Sequence, residues 1–234
     1  TIKVLDYGEF EVYPNRDSLS YRSTYGLEDI PTIFRGTMRR PGFCKAWDIF
    51  VQLGMTSDEC MIEDCDKLTY REFINSFLAY NPNKPIEEKV AEYTRLELDS
   101  PEMKKLIWLG FFEDELIPLK NASAAQILQH RLEEKWQLGP NDKDMIVMQH
   151  QFEYEIDGKK KGVKSSLVVM GQDKQQTAMA ITVGTPVAIA VKLILIGKIN
   201  KTGVVIPVEK DVYTPVLEEL EEYGIKFIEE EYDL

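Results

Sequence analysis

Residues 55–137 hold no run with the two-residue alternation of a strand, yet strand-like runs lie on both sides. Leu68–Leu78, Ile86–Leu96, Glu102–Leu109 and Ala122–Trp136 read as helices. The last carries Ala124, Ile127, Leu128, Leu132 and Trp136 along one apolar stripe. Asn81–Pro85 is a Pro/Asn linker, Ser100-Pro101 a helix start, and Leu138–Asn141 the exit. The order strand-rich, all-helical, strand-rich, helix is that of an α+β protein. The expected architecture is a mixed sheet with packed helices, carrying an all-helical insertion. Residues 1–54 and 138–234 would form the α/β part, and residues 55–137 the insertion.

The flanks give more detail. IKVL (2–5) and EFEVY (9–13) are β-rich runs around an Asp6-Tyr7-Gly8 turn. Asp17 or Ser18 caps a short helix that ends by Gly26. Thr32–Arg39 reads as a strand with Gly36 inside it, a place where a ligand or another backbone comes close. Phe43, Ala46, Trp47, Phe50 and Leu53 then mark a helix stopped by Gly54. After the insertion, 144–156 alternates as a strand and Lys164–Gly171 runs back. Asp157-Gly158 signals the turn, which the Lys159–Lys161 run is expected to lengthen beyond two residues. A helix is expected over 186–196, with Thr185 as N-cap and Pro186 in its first turn. VVIP (204–207), a helix over Pro215–Tyr223, a short strand at Ile225–Ile228 and an acidic tail complete the chain.

Composition removes several classes of function. The formal charge is −12, from 28 basic and 40 acidic side chains. A chain this acidic is a poor nucleic-acid binder and is repelled by anionic membranes, so neither is an expected partner. Ala178–Gly197 approaches the length of a membrane span, but Gly184, Pro186 and Lys192 interrupt it, and a buried core helix is expected instead. Three cysteines without a CxxC point to reduced thiols in a cytoplasmic or mitochondrial setting. The chain opens on Thr1 and not Met, as expected of a piece of a larger protein. His130 and His150 are the only histidines, and no His or Cys stands at ligand spacing, so no metal is expected. GxSxG, GxGxxG and Walker loops are all missing from the sequence.

The charge is uneven. Residues 1–54 carry seven basic and seven acidic side chains, so the whole excess lies beyond them. Five of eight arginines, Arg16, Arg22, Arg35, Arg39 and Arg40, fall within the first 40 residues. The planar guanidinium fork binds carboxylate or phosphate through two parallel hydrogen bonds. A cluster of forks in a neutral island of an acidic chain is either an anion site or a set of surface ion pairs.

The run GEFEVYPNRDSLSYRSTYGLEDIPTIFRGTMRRPGFCKAW, with YPNRDS (13–18) and RGTMR (35–39), resembles the saccharopine dehydrogenase (L-glutamate-forming) family, also called saccharopine reductase. GPNDKDMIVM (139–148), TVGTPVAIA (182–190) and VYTPVLEELEEYGIKF (212–227) extend the resemblance in order over nearly the whole chain. The same enzyme forms the C-terminal part of aminoadipic semialdehyde synthase. The resemblance implies a substrate-binding and homodimerising domain, somewhat like the catalytic domain of glyceraldehyde-3-phosphate dehydrogenase. It also implies a separate Rossmann domain holding NAD or NADP, which this chain lacks, so no cofactor contact is expected here. The implied substrate is saccharopine, or glutamate and aminoadipate semialdehyde in the reductive direction. The implied substrate contacts are Arg16, Thr37, Met38 and Arg39, with Gly36 letting the strand approach the ligand and no general base in this chain. A doubled Arg39-Arg40 departs from many relatives. The competing readings are a carboxyspermidine or lysine ε-dehydrogenase of the same architecture, and a non-catalytic interaction module.

Overall fold

The computed structural model describes residues 1–15 and 17–234; Arg16 lies outside the described residues. The chain is mixed α/β, with three small sheets and eight helices among the described residues. It divides into two compact units, one of Thr1–Met38 with Leu138–Leu234 and one of Arg39–Gln137. The second unit begins at Arg39.

In the first unit, β1 (Ile2–Lys3) and β2 (Glu9–Pro14) pair antiparallel around the Asp6–Gly8 turn. β3 (Gly36–Arg39) extends this sheet in the order β1-β2-β3. It is shorter than the run Thr32–Arg39 implied. Between β2 and β3 lies the one-turn helix α1 (Tyr21–Thr24), preceded by the Asp17 carboxylate, which accepts from the Leu19 amide at 2.9 Å.

The larger sheet is built on β6 (Met145–Ile156) and β7 (Lys159–Met170), which pair along their full length. Ile156 lies opposite Lys159, so the turn is only Asp157-Gly158. Both residues take left-handed backbone, φ 52° and 72°, as a type I′ turn requires. The lysine run does not lengthen the loop, because Lys159–Lys161 enters the ladder. The acidic tail is also a strand. β8 (Ile228–Asp233) pairs with β7, setting Glu230 against Lys164 and Asp233 against Lys161. Opposite charges across a ladder favour that register.

Helix α7 (Ala178–Leu195) starts earlier than expected. Thr177 caps it through the Ala180 amide at 3.0 Å, and Asp144 accepts from the Ala178 and Met179 amides at 2.6 and 3.0 Å. Pro186 is therefore interior and not a first-turn residue. Nor is the helix buried. Ile189 and Leu193 pack with Leu167, Ile199, Leu220 and Ile225, while Met179, Val183, Val187 and Val191 remain 50–61% exposed. Apolar content on every side hides such a face from sequence reading. By length and composition α7 is able to cross a membrane (18 residues, mean hydropathy 2.0). α8 (Lys210–Glu222) packs beside α7, with Lys192 and Glu219 paired at 2.7 Å. VVIP forms no strand.

The second unit holds α2 (Phe43–Leu53), α3 (Tyr70–Asn75), α4 (Ile86–Thr94), α5 (Pro101–Leu109) and α6 (Ala124–Lys135). It is not strand-free: β4 (Met61–Ile62) pairs antiparallel with β5 (Ala122–Ser123). Two residues per strand are too few to show periodicity. Thr69 and Ser123 close capping boxes with Glu72 and Gln126. Ile49, Phe50, Phe73, Met103, Phe111 and Ile127 lie in one core. Beside it Arg131, 2% exposed, reaches the Leu109 carbonyl at 2.7 Å and Glu115 at 2.9 Å. Its guanidinium lies 4.4 Å from the ring centroid of the fully buried Tyr70.

Candidate functional site

The arginines of the first 40 residues do different jobs. Arg22 binds backbone carbonyls: its Nε donates to Leu27 O at 3.3 Å, and its Nη2 to Ile30 O at 2.9 Å and to Glu28 O. It orders the loop after α1. Arg35 lies over the Tyr21 ring at 5.4 Å and donates to the Tyr21 hydroxyl at 3.0 Å. Neither contact is a surface ion pair, and both are local scaffolding.

Strand β3 carries three of the four expected substrate contacts. Side chains alternate along a strand, so Thr37 and Arg39 fall on one face and Met38 on the other. Thr37 and Met38 are half-buried, and Arg39 is exposed. Arg39 lies over the Phe43 ring at 5.2 Å, and Phe43 stacks on Trp47 at 5.8 Å. The ring contact restrains the guanidinium, whose donors lie in one plane, the geometry that suits a carboxylate. Arg16 lies outside the described residues.

A Cβ at Gly36 would come within 2.5 Å of Val12 Cγ1, 2.8 Å of the Phe34 ring and 3.1 Å of Tyr13 O, so the backbone of β2 is one close neighbour that this glycine admits.

Two backbone-directed bonds stitch the YPNRDS segment to the RGTMR segment. The Asn15 amide donates to Arg35 O at 3.0 Å, and the Arg35 amide donates to Ser18 Oγ at 3.0 Å. A third bond joins side chains: Asn15 Nδ2 donates to Thr37 Oγ1 at 2.7 Å. Sequence reading singled out Arg16, Asp17 and Ser18 of YPNRDS and not Asn15. Its place inside the same motif as Arg16 was the available signal. Among the described residues, no group of three His, Cys, Asp or Glu is placed to hold a metal ion.

Comparison with known proteins identifies the family of the chain. A family model, the saccharopine dehydrogenase C-terminal domain, matches residues 1–225. The mitochondrial alpha-aminoadipic semialdehyde synthase of Mus musculus is 35% identical over 93% of this chain, which covers 24% of that protein. Saccharopine dehydrogenase [NADP(+), L-glutamate-forming] of Saccharomyces cerevisiae is 33% identical over 92% of this chain, which covers 50% of it. The solved structure of apo saccharopine dehydrogenase (L-Glu forming) from Saccharomyces cerevisiae superposes with a TM-score of 0.82 at 32% identity, over 95% of this chain and 52% of that one. The chain thus spans about half or less of the length of these relatives. With its matched residues and its superposition in agreement, the chain belongs to the saccharopine dehydrogenase C-terminal domain family.

Proposed function

We propose that this chain is the substrate-holding part of an NADP-dependent, L-glutamate-forming saccharopine dehydrogenase, acting in lysine metabolism. The observation that carries the reading is β3, which sets a half-buried hydroxyl and a stacked arginine on one strand face within a segment matched from end to end by the family. Saccharopine joins glutamate and lysine through a secondary amine and carries three carboxylates. Oxidation removes a hydride from a carbon beside that amine, and water splits the resulting imine into glutamate and aminoadipate semialdehyde. Arg39 would hold one carboxylate through its two in-plane donors, as would Arg16, and Thr37 would donate a further bond. Met38, on the opposite strand face, would contribute through its backbone.

The dinucleotide would supply the hydride acceptor when bound. In this proposal a separate Rossmann domain holds it, a reading supported by the missing GxGxxG loop and by the N-terminus of α7, whose first three amides go to Asp144 and Thr177. In the same proposal, residues 55–137 are an insertion in a domain resembling the catalytic part of glyceraldehyde-3-phosphate dehydrogenase, and the complete enzyme is a homodimer. The outward valine row of α7 supports the expectation of an assembled enzyme that covers it. The relatives' names point to the mitochondrion for the animal synthases, and the cytoplasm is proposed otherwise.

Arg39→Ala and Arg39→Lys in the complete enzyme test the reading. Each should raise the KM for saccharopine about 10-fold or more, with lysine a poor substitute because it lacks the fork. An unchanged KM in both variants would reject it.

A further inference from the structure

Thr37 is held in a way that decides which direction its hydroxyl works. A threonine hydroxyl has one proton to give and two lone pairs to receive with. Asn15 Nδ2 donates into Oγ1 at 2.7 Å, so one lone pair is filled from behind. This bond carries no backbone group. The register of the two segments is already set by Asn15 N to Arg35 O and Arg35 N to Ser18 Oγ. The side-chain bond therefore acts on Thr37 alone. Threonine is stiff about χ1, and the amide further fixes where Oγ1 sits. A donor on the lone-pair side also polarises the O–H, because hydrogen bonds in a chain strengthen one another.

We infer that Asn15 is a positioning residue for substrate binding: by donating to Thr37 Oγ1 it commits the Thr37 hydroxyl to act as a donor toward a carboxylate. A carboxylate offers only lone pairs, so a threonine that accepts there is useless and one that donates is required. Asn15 and Thr37 are both half-buried, which limits competition from water. The inference rests on the proposed function, since it needs an anionic substrate at β3. It adds a residue whose chemistry is indirect and a polarity that can be reversed.

The reversal is Asn15→Asp. The new carboxylate has nearly the same shape but only accepts, so the Thr37 hydroxyl donates its hydrogen bond to it, and a negative charge lies behind the hydroxyl. Four variants of the complete enzyme test this: N15A, N15D, T37V and the double variant N15A/T37V, with R39A beside them. N15A should raise the KM for saccharopine about 5–10-fold, with kcat and the KM for NADP within about twofold of wild type. N15D should be worse than N15A despite its closer shape. The double variant should be no worse than T37V, because Asn15 works only through that hydroxyl. If T37V and R39A raise the KM while N15A leaves it at the wild-type value, the inference is overturned and the proposed function stands. Additive effects of N15A and T37V, or an N15D equal to or better than N15A, also overturn it, since a purely structural amide would behave so. If none of T37V, R39A and N15A moves the KM, the substrate reading itself fails.

Discussion

At Gly36 the missing side chain is a packing requirement. Val12 Cγ1 would lie 2.5 Å from an added Cβ, and the Tyr13 carbonyl 3.1 Å. Gly36→Ala should therefore push β3 from β2 and destabilise the protein by about 1–3 kcal/mol, the usual cost of overpacking, seen as a lower urea midpoint. Tyr70 makes a second prediction. Burial, reinforced by the nearby Glu134 charge, pushes its phenol up to about 12 from the ordinary 10. The unfolded chain thus loses this proton first as pH rises. The stabilising contribution is complete below about pH 10 and disappears as pH rises towards 12. Tyr70→Phe removes that slope, and denaturation series from about pH 8 to about pH 11.5 at constant ionic strength should show a flatter decline than wild type. Arg131 is the group beside the Tyr70 hydroxyl, and no hydrogen bond of normal geometry is formed to it among the described residues, so the variant should lose little at neutral pH. At this scale the sequence was informative about chemistry and silent about partners. It marked the arginine cluster, but Arg22 and Arg39 are the same residue type until the carbonyls of Leu27 and Ile30 claim one and the Phe43 ring the other.

Among the elements, those with strong local signals were readable. α2 runs from Phe43 to Leu53 and ends on Gly54 at φ 82°, as its apolar spacing and stop glycine imply. α7 was misread because its start is set by a residue 34 positions away. Asp144 gives one oxygen to Ala178 N and the other to Met179 N. Thr185-Pro186 looks like a start only when that distant carboxylate is out of view. Asp144→Ala should cost about 0.5–2 kcal/mol, the range for losing an N-cap. Amide exchange should show it directly, with protection lost at Ala178 and Met179 and kept in the last turns of α7. β8 was hidden differently. Three successive glutamates read as a solvated tail until the lysines of β7 stand opposite. Deleting residues 228–233 should leave β7 with an open edge and raise aggregation, measured by light scattering on heating. A truncated protein that stays as monodisperse as the full chain would show that the edge is protected some other way.

The whole molecule is interleaved along the chain: Arg39–Gln137 is continuous, whereas the other unit needs Thr1–Met38 and Leu138–Leu234 together. Gln149 Nε2 reaches back to the Lys3 carbonyl at 3.4 Å, a bond whose partners are 146 positions apart. This division has a consequence for biosynthesis. A ribosome adds roughly 5–20 residues per second, so β1, β2 and β3 emerge first and wait for their larger companion sheet while the whole of Arg39–Gln137 is made. The helical unit can complete its core in that interval, but the first three strands cannot settle until β6 and β7 have left the exit tunnel. During that wait, the half-finished unit would be the segment exposed to proteases and chaperones. Synonymous codons that slow translation after residue 137 would lengthen the exposure without altering a single contact in the finished protein.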